Sequence, residues 1–270
     1  MASINTNVGA MVALRNLSSS NEALARTQDR VSTGLKVIGA KDDASSFAIA
    51  QGIRGDLKAY QAVQQGLANG KGIGDVALAG LTAISGLLTD MKKKAIEGMN
   101  AGNTAQQQAI LDADYTAMKD RFANFIANSS YSGKNLLSTG SDDAAVISTI
   151  SGGTMTITSQ SAIGLLTSAL GNLVDNTAAT SALADIEAAI TAVGTALGDL
   201  GSDINSLKAQ SDFLKALTDS TNEGLGSIVD ADLAEESAAL QALQVKQQLG
   251  VQSLSIANGA PQILLSLFRG

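Results

Sequence analysis

The chain has 270 residues and a net charge of −7, which disfavours a general nucleic-acid-binding protein because such proteins need a basic surface. It contains no Cys and no His, so disulfides, thiolate chemistry, zinc-finger ligation and imidazole catalysis are excluded. Hydrophobic residues make up 45% of the chain but aromatic residues only 3%, so small aliphatic side chains supply most of the apolar surface. This composition favours an elongated protein of closely packed helices over a thick globular core.

The first predicted element is a helix over residues 4–35. Its apolar residues recur at steps of three, four or seven: Val8, Met11, Leu14, Leu17, Leu24, Val31 and Leu35. Chain ends are usually frayed, so an apolar stripe at this end needs another surface to bury it. A loop at 41–43 follows, where the carboxylate of Asp43 can accept hydrogen bonds from the first amides of a second helix.

The second helix is predicted over residues 44–98, and it is rich in glycine. Each of the glycines at 52, 55, 66, 70, 72, 74, 80 and 86 weakens an isolated helix by up to ~1 kcal/mol relative to Ala. Either neighbouring helices hold this segment, or it divides into two helices near residues 70–74. A third helix is predicted over residues 105–128, after a turn in which Asn103 or Thr104 provides the cap.

The only clear β signal lies between residues 135 and 160. Residues 145–150 are rich in β-branched side chains, residues 155–158 alternate, and Gly152-Gly153 supplies a turn between them. The sequence therefore predicts one β-hairpin at about 145–158. A helical region resumes after about residue 161, and its longest piece is predicted over residues 178–223.

The last helix is predicted over residues 230–267, after an interruption at Gly224 and Gly226. Asp230 or Asp232 near its start complements the helix dipole, and Pro261 is expected to break or kink the helix. Its apolar residues include Leu233, Leu240, Leu243, Leu254, Leu264 and Leu267. The two terminal helices can pair, so the predicted fold is mainly α: a long antiparallel helical bundle or coiled coil with one small β-hairpin.

No pattern of residues indicates catalysis or a cofactor. Carboxylate pairs such as Asp42-Asp43 and Glu235-Glu236 are mostly caps or solvated surface residues rather than metal or glycosidase sites. The glycines at 70–74 lack the GxxxxGK[ST] pattern of a phosphate-binding loop, and no predicted strand precedes them. We therefore expect no enzymatic activity, no metal site and no cofactor.

Membrane insertion is also not expected from the sequence. No stretch comes near the roughly 20 apolar residues of a bilayer span. The N-terminus has no basic region followed by an apolar run, so a cleaved secretory leader is not expected either.

Both ends of the chain resemble the bacterial flagellin family. The similar segments near the N-terminus are residues 4–7, 30–35 and 40–44, and those near the C-terminus are residues 230–237, 257–258 and 261–269. They lie in the expected order and frame essentially the whole chain. The large outer domains that many flagellins carry in the middle look absent, so the chain resembles a short flagellin.

The resemblance implies a structural subunit that self-assembles into the flagellar filament for motility. Residues 1–43 and 225–270 would pair as a coiled-coil domain in the filament core, and residues 44–224 would form a helical rod domain with the hairpin. The polymerisation interface would then comprise Val8, Met11, Leu14, Leu17, Leu24, Val31, Leu35, Leu233, Leu240, Leu243, Leu254, Leu264 and Leu267.

The resemblance also implies partners and a location. The partners are many copies of the chain, an export chaperone that masks the C-terminal helix, the flagellar type III export apparatus, and the filament cap and junction proteins. The location is the extracellular bacterial flagellum. Some flagellins are detected by an innate immune receptor, and in those an arginine occupies the position of Asp90. The reversed charge at this position leads us to expect weak or absent activation.

Three other functions compete with that of a flagellin. A hook–filament junction component, or another axial flagellar protein, has similar terminal helices. A flagellin-like frame around a zinc peptidase would need an HExxH motif, but the chain has no His. A membrane-active amphipathic protein would be rich in Lys, Arg and aromatic anchors, whereas this chain is acidic and poor in aromatics.

Overall fold

The computed structural model describes residues 6–267, with side chains as far as residue 259. Most of this part of the chain is helical, which confirms the mainly-α fold class. The helices of the described residues are α1 (Val8–Thr33), α2 (Ala44–Gly98), α3 (Ala105–Asn128), α4 (Ser161–Ala169), α5 (Asn176–Val229) and α6 (Leu233–Leu267).

Two short antiparallel hairpins complete the fold. The predicted hairpin is present as β3 (Ala144–Ile147) paired with β4 (Thr154–Ile157). A second hairpin, β1 (Ser130–Tyr131) with β2 (Lys134–Asn135), adds to the single one expected. Its turn residues Ser132 and Gly133 both have positive φ, 49° and 81°, as a type I′ turn requires. Strands of two residues have no alternation to detect, so the sequence indicated only a helix end here.

The structure confirms the single helix predicted for α2 and differs from the sequence-based expectations for α5 and α6. α2 is continuous through residues 70–74, so the alternative of two helices is wrong. α5 continues through Gly224 and Gly226 to Val229, so the predicted interruption is also wrong. Leu225 and Ile228 pack against buried Val229, and this packing opposes the low helix propensity of glycine. The helical run of α6 passes Pro261, so the predicted break is absent.

Side-chain caps fix the starts of three helices, as the sequence predicts. Asp43 Oδ1 accepts hydrogen bonds from the amides of Ser45 (2.9 Å) and Ser46 (3.2 Å) at the start of α2. The side-chain hydroxyl of Ser46, and next its amide, lower the pKa of the Asp43 carboxyl. Thr104 forms a capping box with Gln107 before α3. Asp232 caps the start of α6, because its Oδ1 accepts hydrogen bonds from the amides of Ala234 and Glu235.

The chain divides into two compact units. The terminal unit comprises residues 1–55 and 220–270, and the central unit comprises residues 56–219. The core of the central unit is built from residues of α2, α3, α4 and α5, the β3–β4 hairpin and the segment that follows β2, and it includes Leu81, Ile84, Leu88, Tyr115, Phe122, Leu137, Ile157, Ile163, Ile186 and Leu200. The terminal unit has a small core of its own, formed by Val37, Ala50 and Val229.

Two of the helices, α2 and α5, are long and apolar enough to cross a membrane by length and composition alone. The expectation that no stretch comes near that length is therefore wrong. The largest apolar side chains of these helices are nevertheless buried in the core of the central unit, among them Leu67 and Leu81 of α2 and Leu200 of α5. Of the most apolar stretch of each helix, 33% in α2 and 28% in α5 is buried inside the protein.

Glycines on α2 let other elements pack against its backbone. A Cβ atom on Gly70 would lie 2.5 Å from Val146 Cγ2, and one on Gly74 would lie 2.8 Å from Ile204 Cγ1. Real Cβ atoms do not approach other atoms so closely, so β3 and α5 occupy the space that the missing side chains leave. Gly86, on the same helix, has no atom within 4 Å of the corresponding position.

We expect Gly70→Ala to destabilise the protein by about 1–3 kcal/mol, because Val146 would have to move. The matched control Gly86→Ala should raise the free energy of unfolding by up to ~1 kcal/mol, because alanine favours the helix and meets open space. Chemical denaturation followed by circular dichroism measures both effects. Equal stabilisation by the two substitutions would contradict the proposed packing role of Gly70.

Tyr115 is a buried polar side chain in the core of the central unit. Its hydroxyl finds no hydrogen-bond partner among the described residues, while the Lys119 ammonium lies 5.7 Å from the centre of its ring. Burial, with a smaller effect from the charge of Asp185, raises the pKa of Tyr115 to about 12.

We expect Tyr115→Phe to leave the free energy of unfolding near pH 7 unchanged or to raise it by about 1 kcal/mol, because a buried hydroxyl without a partner is removed. The wild-type tyrosine holds its proton more tightly when folded. This tighter proton binding adds to the free energy of unfolding. The added stability is complete below the ordinary tyrosine pKa of 10.0 and is lost as the pH rises towards about 12. Urea titrations of both proteins across this range should show a smaller alkaline loss for the variant. A parallel loss in the two proteins would contradict the burial of the hydroxyl.

Candidate functional site: the paired terminal helices

The helices α1 and α6 lie side by side in the terminal unit. Residue numbers that rise along α1 meet numbers that fall along α6, so the two helices are antiparallel. Three polar pairs join them at 2.7, 2.9 and 3.0 Å: Asn7 Nδ2 to the Ala257 carbonyl, Gln247 Nε2 to Asn21 Oδ1, and Arg30 Nη1 to Glu236 Oε1.

The facing surfaces form a seam with heptad spacing. On each helix, half-buried or buried positions recur at alternating steps of three and four, which is the coiled-coil pattern. We call these positions the terminal seam. On α1 they are Ala10, Ala13, Leu17, Ser20, Leu24, Thr27 and Val31, and on α6 they are Glu236, Leu240, Leu243, Gln247, Gly250, Leu254 and Ala257.

Small and polar residues within the terminal seam bring the two helices close together. A Cβ atom on Gly250 would lie 3.2 Å from Leu17 Cδ1, so a glycine at this position gives the leucine room. The Arg30–Glu236 ion pair is only partly exposed, and it fixes the register at the other end of the seam. The apolar contact between α1 and α6 therefore has one preferred register.

Main-chain hydrogen bonds tie the two helices together where α1 ends and α6 begins. Gly34 ends α1 with a φ of 72°, and its carbonyl accepts from the amide of Ala231 at 2.9 Å. The amide of Lys36 donates to the Val229 carbonyl at 2.7 Å. Leu35 and Asp230 form the β-bridge between these segments.

The structure divides the predicted interface residues into two groups. Leu35 and six residues of the terminal seam are at least partly buried within the chain: Leu17, Leu24, Val31, Leu240, Leu243 and Leu254. Four others are exposed on the helices: Val8, Met11, Leu14 and Leu233. The side chains of Leu264 and Leu267 lie outside the described residues. Among the predicted interface residues whose side chains the structure describes, only the exposed group is free to contact another molecule without separating α1 from α6.

A second apolar stripe on α6 was missed by the sequence analysis. Val245, Leu249 and Ile256 lie roughly 200–240° around the helix from Leu243 in the terminal seam. They are strongly exposed: 59% for Leu249 and 70% for Ile256. We call these three residues the outer stripe. These three residues are spaced by four and seven in the sequence, but the leucines of α6 are more numerous and form the more obvious helical pattern.

Charge is nearly absent around the outer stripe. From Ser237 to Gly259 the only charged residue is Lys246. The terminal unit as a whole has eight basic and nine acidic residues, whereas the central unit has ten and sixteen, so most of the net negative charge lies on the central unit. Burial of a charge is costly, so this face of α6 is suited to burial against an apolar partner.

Asp90 is exposed on α2. Within residues 6–267 no group of three or more Asp or Glu side chains is placed to hold a metal ion.

Family models match most of the chain. Residues 4–143 match the bacterial flagellin N-terminal helical region, and residues 183–268 match the bacterial flagellin C-terminal helical region. Residues 144–182, which hold the β3–β4 hairpin and α4, lie between the two matched regions.

Curated relatives match over their whole length. The chain is 37% identical to a flagellin of Brucella melitensis, with all of both chains covered. It is also 37% identical to flagellin FljM of Caulobacter vibrioides, with 99% of this chain and 98% of the relative covered. Flagellin B of Rhizobium meliloti is 26% identical over an alignment of 398 residues, which covers both chains completely.

Two solved structures resemble the fold. A Bacillus cereus flagellin has a TM-score of 0.52 and 25% identity, covering 55% of this chain and 88% of that one. A Vibrio parahaemolyticus chain described as a flagellar hook-associated protein has a TM-score of 0.58, covering 70% of this chain and all of that one. At 16% identity the second structure is similar in fold alone.

Proposed function

The chain belongs to the bacterial flagellin family and is a structural subunit of the flagellar filament, and from this premise we propose that residues 1–43 and 225–270 form the filament core. The terminal seam holds α1 and α6 together within one copy. The outer stripe, together with Val8, Met11, Leu14 and Leu233, packs against neighbouring copies. Residues 44–224 form the rod domain around that core.

The observation that carries this proposal is the second apolar face of α6. A two-helix pair needs one apolar face on each helix, and the terminal seam already supplies it. The outer stripe adds apolar area that no residue of the described chain covers, in a stretch with a single charge. Full burial of a Leu or Ile side chain contributes about 1.5–3 kcal/mol, so a few such residues per copy can drive association.

The exposed residues also indicate the type of assembly. The outer stripe lies on α6, whereas Val8, Met11 and Leu14 lie on α1, so one copy offers two different apolar surfaces. Contacts between unlike surfaces repeat without closing when the rotation between copies does not form a ring, and the product is a helical filament. A homopolymer of many copies is the result.

We extend the proposal to the partners that handle the subunit before assembly. The flagellum is extracellular, so the chain reaches it by secretion through the flagellar type III apparatus. An exposed apolar stripe on α6 promotes aggregation inside a cell, and an export chaperone that covers this stripe prevents it. Filament cap and junction proteins contact the same helices at the filament ends. The proposed role is structural, without catalysis and without membrane insertion.

The outer stripe can be tested against the terminal seam. We expect Leu249→Ser to keep the folded monomer and to raise the critical concentration for seeded filament growth at least ~tenfold, because buried apolar area between copies is lost. Leu243→Ser, in the terminal seam, should instead lower the thermal stability of the paired α1 and α6 in the monomer. The control Gln248→Ser replaces an exposed polar neighbour and should change neither the critical concentration nor the thermal stability. Growth of Leu249→Ser filaments at the wild-type concentration would refute the role of the outer stripe.

The exposed Asp90 generates a separate prediction. We expect wild-type protein to activate an innate flagellin receptor weakly or not at all in reporter cells, because an acidic side chain stands where detected flagellins carry arginine. Asp90→Arg should increase the signal, while Asp75→Arg on the same helix serves as a control for added charge. Strong signalling by the wild-type protein would contradict the expectation.

A further inference from the structure

We propose that Phe213 of one copy inserts into a groove beside the β3–β4 hairpin of a neighbouring copy and so forms a lateral contact between central units. The inference rests on the proposed assembly into filaments and adds a contact outside the terminal helices. The groove lies between α2 and β3, has a volume of about 350 Å³, and is lined by residues that include Ala62, Val63, Gly66, Ile73, Val146 and Ile147.

The groove is apolar and open to solvent. Asn69 supplies the only polar side chain of its lining, and the remainder is Ala, Val, Ile and Gly. Ile147 at its edge is 53% exposed. At Gly66 the floor of the groove is the α2 backbone, because a Cβ atom there would meet no atom closer than the Ile147 carbonyl oxygen at 3.9 Å, so a side chain from outside has room at this position.

Phe213 is an exposed aromatic side chain in a chain that has only five phenylalanines. It is 59% exposed on α5. Ala209 and Ala216, on the same face of α5 and one turn away on either side, are small and also exposed. The aromatic ring therefore projects between two small residues as a single knob, which is the usual form of an interface anchor.

The knob and the groove lie at the same level of the central unit, on opposite sides of the hairpin. Gln210 Nε2 donates to the Ser148 carbonyl at 2.9 Å, and Asp203 Oδ2 accepts from the Thr158 amide at 2.8 Å, so this face of α5 holds the hairpin. Phe213 lies about 60° around α5 from Gln210, on one side of the face that holds the hairpin.

The helix α2 lies on the other side of the face of α5 that holds the hairpin. Ile204 contacts α2 at Gly74, and Thr218 accepts a hydrogen bond from Gln64 of α2. The groove is on this α2 side of the hairpin. Phe213 is thus not placed to fill the groove of its own chain. Two copies placed side by side in the same orientation present the knob of one to the groove of the next, a contact between unlike surfaces that repeats along a filament.

A second groove of the central unit fits an aromatic knob less well. It is larger, about 480 Å³, and lies at the turn between α2 and α3. Four of its lining residues carry polar side chains: Glu97, Asn100, Asn103 and Gln107. Burial of an aromatic ring against them would remove water from polar groups without replacing their hydrogen bonds. The proposal therefore commits to the groove beside the hairpin.

The absence of cysteine from the chain permits a direct test by disulfide formation. Copies with Phe213→Cys are mixed with copies of different mass that carry Ala62→Cys, and the mixture is grown on wild-type seeds and oxidised gently. We expect mixed disulfide dimers from the filaments at least ~tenfold above those from unassembled protein, because a disulfide needs Cα atoms within about 7 Å. The matched control Ala68→Cys lies on α2 outside the groove and should give few mixed dimers.

A second measurement separates a contact from a folding defect. Phe213→Ala and Ala62→Phe should each raise the critical concentration for growth at least ~tenfold, the first by removing the knob and the second by filling the groove. The double variant should grow better than Ala62→Phe alone, because the filled groove then meets a flat surface. The control Ala68→Phe should grow as wild type does.

The outcomes distinguish this contact from the assembly on which it rests. Filaments that form normally but give equal disulfide yields with Ala62→Cys and Ala68→Cys copies would overturn the contact and leave the terminal interface intact. Preferred coupling to Ile110→Cys copies would also overturn it, by placing the knob in the second groove. Failure of wild-type protein to form any filament would overturn both proposals.

Discussion

The antiparallel pairing of α1 with α6 is the interaction on which the candidate surface depends. The terminal seam uses one face of each helix and fixes the register through polar pairs at both ends. Once that face is occupied, the direction of every other side chain on the two helices is set. The outer stripe of Val245, Leu249 and Ile256 is continuous only because α6 is a single helix held against α1. Pairing within one copy therefore creates the surface available to the next copy.

The central unit shows a related constraint in its glycines. α2 carries glycines where β3 and α5 approach, and the space at Gly70 and Gly74 is occupied by Val146 and Ile204. These glycines lower the helix propensity of α2, but they allow the hairpin to lie against its backbone. The groove beside the hairpin results from the same close approach. A helix of higher intrinsic propensity would narrow this groove, because a side chain at 66 would project into it and one at 70 would displace Val146.

Much of this architecture can be predicted from the sequence, and the parts that cannot have physical causes. The bounds of α2 and α3, and the caps at Asp43 and Thr104, follow from local patterns, which act within a few residues. The continuity of α2 and of α5 through Gly226 depends on packing from distant parts of the chain, which local propensity does not include. The sequence also cannot decide whether Leu14 or Leu17 faces α6. Both fit a helical period, and the choice depends on Gly250, more than 200 residues away.

The distribution of charge links the folding of the terminal helices to their assembly. Most of the net negative charge lies on the central unit, while the stretch of α6 from Ser237 to Gly259 has only Lys246. In the proposed filament, neighbouring copies can therefore approach through α6 with little cost of charge burial. Any contact that requires the paired form of α1 and α6 also stabilises that pairing, since a partner that binds only one state shifts the equilibrium towards it. In the proposed assembly, the terminal pair and the polymer therefore stabilise each other.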